Sequence, residues 1–149
     1  MWRIMGQIFY GDKMRFVEQG AKTGFCYEEI VAFCQEKGIA IFDTAQAVIR
    51  LQGNAADEHL EIVERTDTTA LLQQIPLCHD ICCTGGKAAQ TLAETLQSDM
   101  PKAGEYIKTN LADRTVRFWR MPSSSRAYPL SFDKKVAAYR QMFQAIGML

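Results

Sequence analysis

Short continuous apolar runs alternate with amphipathic stretches along this chain, and this alternation limits the folds that are open to it. Residues 39–42 (IAIF) form one such run, and residues 81–83 (ICC) form another. Runs of this length are typical of strands that are buried on both faces. Because strands that alternate with helices form right-handed crossover units, the sequence predicts an α/β fold. We expect three layers, with a mostly parallel central sheet flanked by helices and with ligands at the carboxyl ends of the strands.

Helices are predicted where apolar residues recur at helical spacing and where capping residues mark the ends. Gly38 is placed to end one helix, and Asp67 to begin another. Ala112 and Asp113 form a turn between two further strands, residues 106–111 and 115–120. Residues 54–58 are polar and predict a loop. The predicted helices cover residues 2–9, Tyr27–Lys37, Thr68–Gln74, a stretch that follows Lys87, and residues 132–146.

The charged residues are divided unevenly along the chain, although the formal net charge of its 149 residues is zero. Residues 1–101 contain 8 Lys and Arg against 14 Asp and Glu, whereas residues 102–149 contain 9 against 3. The net charges of these two parts are therefore −6 and +6. A basic last third favours an anionic partner, and solvated faces that happen to segregate explain the same pattern. Length and composition predict a single domain over residues 1–149.

Targeting and redox features favour a cytoplasmic protein with no membrane partner. No window reaches the roughly 18 apolar residues that a membrane span needs, and the first residues lack the pattern of a secretory signal. The five cysteines form no disulfide framework, which favours reduced thiols. The segment CHDICC at residues 78–83 matches no closed tetrahedral spacing, so we expect no metal and no cofactor. Cys82 and Cys83 are then small buried side chains on opposite faces of a strand.

The segment TGGK at residues 84–87 carries residue types that can bind phosphate. Gly85, Gly86 and Lys87 lie where a predicted strand turns into a helix. Free backbone N–H groups and the helix dipole attract an anion at such a point. The spacing is not that of a Walker loop, and a plain tight turn explains the glycines as well.

A second candidate surrounds the segment MPSSS at residues 121–125. Arg117, Arg120 and Arg126 flank it. Guanidinium groups and hydroxyls around a loop that proline stiffens are suited to phosphates, and a solvated loop is the alternative. Asp43 directly follows the apolar run 39–42, where its carboxylate either accepts hydrogen bonds from a ligand or caps the following turn.

Four segments together resemble the uracil-DNA glycosylase superfamily. Residues 117–128 (RFWRMPSSSRAY) resemble its second signature, a strand followed by a short Ser/Pro-rich loop that presses into the minor groove, and they are most similar to the mismatch and hypoxanthine-type branches. Residues 38–43 (GIAIFD) resemble the strand that ends at the base pocket, and residues 84–88 (TGGKA) resemble the middle strand, turn and helix. Residues 2–6 (WRIMG) resemble the helix that follows the first signature. The likeness spans nearly the whole chain in order.

The resemblance implies a DNA glycosylase of base-excision repair, which removes a deaminated or mismatched base of the uracil or hypoxanthine type after flipping it out of double- or single-stranded DNA. Phe42, Asp43 and Met121 would form the base pocket. Asp43 stands where the superfamily often has a base-reading Asn. Met121 stands where better-known members have a His or Asn that stabilises the leaving carbonyl, a contribution that Met, which donates no hydrogen bond, does not make. The implied DNA contacts are Gly85, Gly86, Lys87, Arg120, Pro122, Ser123, Ser124, Ser125 and Arg126, the last of these near the intercalating wedge.

Family members have a strand and a loop before the segment that matches residues 2–4, and this loop carries the water-positioning residue. The resemblance therefore implies that the catalytic residue lies upstream of Met1, that no catalytic residue lies within the chain, and that the first strand of the sheet is missing. A sheet without that strand exposes an edge, which predicts a homodimer that fills the gap. Two other functions stay open: a non-catalytic DNA- or nucleotide-binding module of the same fold, and a doubly wound protein that binds a small phosphorylated ligand at residues 85–87.

Overall fold

The computed structural model describes residues 1–18, 20, 24–50 and 60–149. Contacts divide the chain into two compact units: Met1–Ile41 with Ser124–Leu149, here called the helical unit, and Phe42–Ser123, here called the sheet unit. A single domain over residues 1–149 stays a prediction. Within the described residues, no helix combines the length and the apolar character that a membrane span requires.

Five helices and five strands occur in the described part of the chain. In chain order they are α1 (Trp2–Tyr10), α2 (Tyr27–Lys37), β1 (Ala45–Arg50), β2 (Leu60–Arg65), α3 (Thr68–Gln74), β3 (Asp80–Thr84), α4 (Gly86–Leu96), β4 (Glu105–Leu111), β5 (Arg114–Met121) and α5 (Phe132–Ala145). All five predicted helices are confirmed, as are the strands β3, β4 and β5. The polar loop predicted for residues 54–58 lies outside the described residues.

Capping residues set the helix ends where the sequence predicts them. Gly38 ends α2 in the left-handed conformation, with φ 66° and ψ 37°, and its N–H reaches the carbonyls of the last turn. Glycine adopts this conformation without the steric cost that a Cβ imposes. At the start of α3, the Asp67 carboxylate accepts a hydrogen bond of 2.9 Å from the N–H of Ala70. This contact satisfies one of the N–H groups that a helix start leaves unpaired.

The helical unit has an aromatic core. Phe9 on α1 lies 5.1 Å from the ring of Phe33 on α2 and 5.1 Å from the ring of Phe143 on α5. The ring of Phe16 also lies 5.1 Å from that of Phe33. Edge-on packing of this kind adds to the burial of the ring surfaces. The three helices of this unit are therefore held through their aromatic side chains.

The described residues of the sheet unit form two sheets. One pairs β1 with β2 antiparallel, and the other has the strand order β3-β5-β4. In the second sheet β3 runs parallel to β5, whereas β4 runs antiparallel to β5. The prediction of a mostly parallel sheet is wrong for this sheet, which is mixed. The physical reason is the tight turn at Ala112 and Asp113, because a two-residue connection can join only antiparallel neighbours.

The apolar run at residues 39–42 is not a strand. The chain leaves α2 through Gly38 and forms no regular element before β1 begins at Ala45. Ile41 and Phe42 have 61% and 64% of their surface exposed, so the predicted burial on both faces is wrong. Strand β1 and strand β2 were not predicted. Each depends on the other, since Val48 pairs with Ile62.

Helix α4 packs on one face of the β3-β5-β4 sheet. The buried residues of this cluster come from β3, β5 and α4, and they are Cys83, Ala89, Leu92, Ala93 and Phe118. A second cluster joins α3 to the same sheet through Leu72, Leu111 and Val116. The two clusters leave the opposite face of the sheet for the polar network described below.

Candidate functional site

The carboxyl ends of β3 and β5 meet at one edge of the sheet. The two strands are parallel, and their register places Thr84 opposite Met121. One residue further on, the N–H of Gly85 donates a hydrogen bond of 2.9 Å to the carbonyl of Met121. The two segments that the sequence predicted as phosphate-binding therefore begin side by side. This is the position at which α/β sheets bind ligands.

Gly85 has a backbone conformation that requires glycine. Its φ is 106° and its ψ is 167°, a region that other residues rarely occupy. A Cβ built on it would lie 3.5 Å from the Cβ of Ser123. This distance is an ordinary van der Waals contact, so the backbone conformation at the entry into α4, and not a lack of space, is what requires glycine here. We call Gly85 and Gly86 the Gly-Gly turn.

Arg120 brings its guanidinium to the Gly-Gly turn. Its Nη2 atom lies 3.6 Å from the position that a Cβ would take on Gly86. Its Nη1 atom donates to the carbonyl of Pro101 at 3.4 Å, a weak contact that orients the side chain. The guanidinium carries five donors in a fixed plane. A cation that offers several N–H groups therefore lies beside the first residue of α4.

The start of α4 has no acidic side chain. Gly85, its N-cap residue, has no side chain to accept a hydrogen bond, and the first turn contains neither Asp nor Glu. The N–H groups of a first turn lack partners within the helix and carry part of a positive charge. Together with Arg120, they make this end of α4 positive. An anion is the ligand that suits such a surface.

Lys87, the second residue of α4, lies among residues of β2 and α4. It lines a cavity of about 410 Å³ together with residues of β2 and α4 that include Arg65 and Glu94. Glu94 forms an ion pair with Arg65. Hydrogen bonds from Gln90 and Arg65, with a smaller effect of the Lys87 charge, lower the pKa of Glu94. Part of the Lys87 charge is thus already balanced by this carboxylate.

A polar network on the sheet face opposite α4 holds β3 against β5. The Asp80 carboxylate accepts hydrogen bonds from Arg117 Nη2 at 2.7 Å and from Trp119 Nε1 at 2.8 Å. Arg117 Nε lies 2.6 Å from Asp80 Oδ1, the oxygen that also accepts from Trp119, whereas Nη2 donates to Oδ2. The hydrogen bond to Asp80 raises the pKa of Arg117. The ring of Trp119 lies 4.5 Å from that of Tyr106. This network could not be predicted from the sequence, because its members lie on three different strands.

The predicted base-pocket residues differ in their surroundings. Met121 is buried, with 1% of its surface exposed. Phe42 and Asp43 are exposed and precede β1, so the premise that Asp43 ends a strand is wrong. The backbone carbonyl of Asp43 accepts a hydrogen bond of 2.7 Å from Thr66 Oγ1. Their shared role at a base pocket stays a prediction.

Ser124, Ser125 and Arg126 belong to the helical unit. The carbonyl of Ser125 accepts a hydrogen bond of 3.3 Å from the N–H of Tyr128, which closes a turn with Arg126 at its second position. Ser125 Oγ accepts from the N–H of Ala127 at 3.2 Å. Arg126 is exposed at this turn. Its guanidinium is thus presented on a folded segment.

Lys135 contacts the turn at residues 125–128 and was not predicted from the sequence as a functional residue. It lies in the first turns of α5 and donates from Nζ to the carbonyl of Ser125 at 2.6 Å and to that of Tyr128 at 3.3 Å. Its position, four residues before the buried Tyr139 and seven before the buried Met142, puts it on the apolar stripe of α5. A charged residue on an apolar stripe is the signal that could have identified it.

The cysteine segment has one buried and one exposed thiol. Cys83 lies in the core against α4, and burial raises its pKa to about 12. Cys82 is exposed on the other face of β3, so the prediction that both are buried is wrong for Cys82. The five cysteines are free thiols. In the part of the chain that the structure describes, no group of three or more His, Cys, Asp or Glu side chains could hold a metal ion.

The chain was compared with protein-family models, with curated proteins and with solved structures, and none of the three comparisons gave a match.

Proposed function

We propose that this chain binds DNA phosphates and acts as a DNA glycosylase of base-excision repair, removing a deaminated or mismatched base of the uracil or hypoxanthine type. The observation that carries the proposal is the hydrogen bond from the Gly85 N–H to the Met121 carbonyl. It joins the Gly-Gly turn to the start of residues 122–126, here called the Pro-Ser loop. Both segments were predicted to bind phosphate, and their resemblance to glycosylase signatures is the source of the proposed reaction.

The electrostatics of the sheet unit support a phosphate ligand. The N-terminus of α4 and the Arg120 guanidinium lie together, and the first turn of α4 contains no acidic side chain. Ser123, whose Cβ approaches Gly85, adds a hydroxyl. Backbone N–H groups, hydroxyls and guanidinium groups are the donors that proteins direct at DNA phosphates. Such contacts position a protein on DNA without reading its sequence.

The proposed reaction is hydrolysis of the N-glycosidic bond of a flipped nucleotide. A water oxygen bonds to C1′ of the sugar while the bond from C1′ to the base nitrogen breaks. The base leaves with the electron pair and takes up a proton. Unstacking the base costs a few kcal/mol, and least at a mismatched or damaged pair. Phosphate contacts on either side of the flipped nucleotide offset this cost. We assign no residue of this chain to the positioning of the water.

Base release from labelled duplexes tests the proposal directly. The duplexes carry uracil, hypoxanthine or a mismatched thymine, and an undamaged duplex is the control. We expect release from at least one damaged duplex and binding that weakens as salt increases. The absence of both base release and salt-dependent binding would overturn the proposal, and binding without release would overturn its glycosylase part.

Gly86→Asp is the variant that tests the phosphate grip. A carboxylate in the first turn of a helix favours the folded state, while it repels a phosphate at the same place. We expect an unchanged or higher melting temperature and DNA binding that is about tenfold weaker, which corresponds to about 1.4 kcal/mol. Gln73→Glu adds the same charge to an exposed position of α3 and is the matched control. Equal DNA binding by the two variants would place the phosphate elsewhere.

A second candidate function is non-catalytic binding of DNA or of a nucleotide. The observation that favours it is the burial of Met121, which offers no hydrogen-bond donor to a leaving base. Salt-dependent DNA binding without release of any base supports this candidate. If the chain binds a free nucleotide more tightly than DNA, this result supports a related function, the binding of a small phosphorylated ligand at the Gly-Gly turn.

The proposal includes a homodimer. In the described part of the chain, β3 and β4 are the edge strands of their sheet and each pairs on one side only. Edge strands are the places where a second copy can add to a sheet. Light scattering that finds only the monomer mass across the working concentration range contradicts this part of the proposal.

A further inference from the structure

Lys135 is a buried cation in an unfavourable place. Only 4% of its surface is exposed. It lies four residues after Ser131, the N-cap of α5, where the helix dipole disfavours positive charge. Among the described residues, no carboxylate forms an ion pair with it. An apolar side chain would suit the stability of this position better, so the ammonium needs another explanation.

The contacts of the ammonium supply that explanation. Nζ donates to the carbonyls of Ser125 and Tyr128, the first and last residues of one turn. It also lies 5.5 Å from the centre of the Tyr128 ring, within range of a cation–π interaction. The Lys135 ammonium thus contacts both ends of the turn and the aromatic ring of its last residue. Bonds of this kind from a buried charge are stronger than those between neutral groups.

The turn that Lys135 holds presents Arg126. The N–H of Tyr128 closes the turn on the Ser125 carbonyl, and Ser125 Oγ accepts from Ala127. Arg126 occupies the second position and is exposed. Without the ammonium, two partly buried carbonyls would each lose a donor. The conformation of the Arg126 backbone therefore depends on Lys135.

We propose that Lys135 is a positioning residue, which fixes the Ser125–Tyr128 turn so that Arg126 contacts a DNA phosphate. The identity of the ligand, a DNA phosphate, rests on the proposed function. The contacts of Lys135 lie entirely within the helical unit. Lys135 itself touches no DNA. It acts by reducing the conformational freedom that Arg126 would lose on binding.

The experiment compares Lys135→Met, Arg126→Gln and their double variant in DNA binding across a range of salt concentrations. Lys134→Met, which removes the same charge from the exposed neighbouring position, is the matched control. We expect Lys135→Met and Arg126→Gln each to weaken binding about fivefold to tenfold, and each to lower the salt slope by about one phosphate contact. The double variant is expected to bind no more weakly than Arg126→Gln alone, since Lys135 acts through Arg126. Lys134→Met leaves the salt slope closer to that of the unmodified chain.

A second readout needs no DNA. Trypsin cleavage after Arg126, followed by mass spectrometry, is expected to be several times faster in Lys135→Met and near the original rate in Lys135→Arg, which keeps the charge and the donors. If Lys135→Met does not fold, Lys135→Gln, which keeps an N–H donor, is measured in the same way. Additive losses in the double variant, or an unchanged cleavage rate, would overturn the inference, while base release and DNA binding by the unmodified chain would still support the proposed function. No DNA binding by the unmodified chain would overturn both.

Discussion

Removal of the Asp80 carboxylate is the perturbation that tests the architecture beneath the site most directly. This carboxylate joins β3 to Arg117 and Trp119 of β5, the strand whose end carries Arg120. In Asp80→Ala, the indole N–H of Trp119 loses its partner, and 96% of that residue is shielded from water. A buried donor left without a partner costs about 1–3 kcal/mol.

The ion pair adds to that cost by an amount that depends on its exposure. The side chains of Arg117 and Asp80 have 30% and 20% of their surface exposed. The pair therefore lies between a surface pair, at about 0.2–1 kcal/mol, and a fully buried one, at about 3–5 kcal/mol when one partner is removed. We take about 1–2 kcal/mol for it. Asp80→Ala is then expected to lower the free energy of unfolding by about 2–5 kcal/mol.

Urea unfolding followed by circular dichroism measures this loss, with Asp99→Ala at an exposed position as the control, which is expected to change it by no more than about 0.5 kcal/mol. A double-mutant cycle with Arg117→Met separates the two contributions, and a coupling energy of about 1–2 kcal/mol is expected. If Asp80→Ala unfolds like Asp99→Ala, the network does not hold β3 to β5 and the reasoning is refuted. A large loss with no coupling would assign the whole effect to the Trp119 hydrogen bond.

Three further predictions concern the sheet unit. Burial raises the pKa of Cys83 from 9.0 to about 12, so its thiol ionises first in the unfolded state, and stability that is complete below pH 9 is lost as the pH rises above it. Between pH 8 and pH 10 this loss amounts to about 1.4 kcal/mol, and urea unfolding of Cys83→Ala at both pH values should show a loss smaller by that amount. Arg114 donates to three carbonyls at the end of α3 and beyond it. Arg114→Lys should lower the free energy of unfolding by about 2 kcal/mol in the same assay, because a single ammonium does not reproduce the planar guanidinium. A loss below about 0.5 kcal/mol would contradict this prediction. Ala112 and Asp113 have positive φ values of 52° and 60°; Ala112→Asn with Asp113→Gly should raise the melting temperature and stabilise the unit by about 1 kcal/mol, and a lower melting temperature would show that the turn is not of this type.

The sequence predicts best where the cause of a structure is local. Gly38 and Asp67 end and begin helices through contacts within four residues, so their positions in the sequence carry the whole signal. The strand predicted for residues 39–42 is wrong because its cause would not be local. A continuous apolar stretch becomes a strand only if another strand lies beside it, and the chain provides none there among the described residues.

The candidate site divides in the same way. The Gly-Gly turn could be predicted, because a strand, two glycines and a helix follow one another directly. Its approach to Arg120 and Ser123 required the parallel register of β3 and β5, which lie more than 30 residues apart. The buried Lys135 carried a signal in the helical period of α5, and its two carbonyl partners could not be read from that period.

Met121 decides what kind of selectivity this edge of the sheet can have. Its side chain is buried and offers no hydrogen-bond donor, and its carbonyl accepts from the Gly85 N–H. Other groups at this edge include the first-turn N–H groups of α4, the Arg120 guanidinium and the Ser123 hydroxyl, which suit phosphate oxygens. Phosphate contacts contribute affinity that falls with salt and is the same for every base sequence. If the chain binds DNA as proposed, the salt slope of binding reports on this edge, and a preference among uracil, hypoxanthine and thymine would require contacts other than these phosphate contacts.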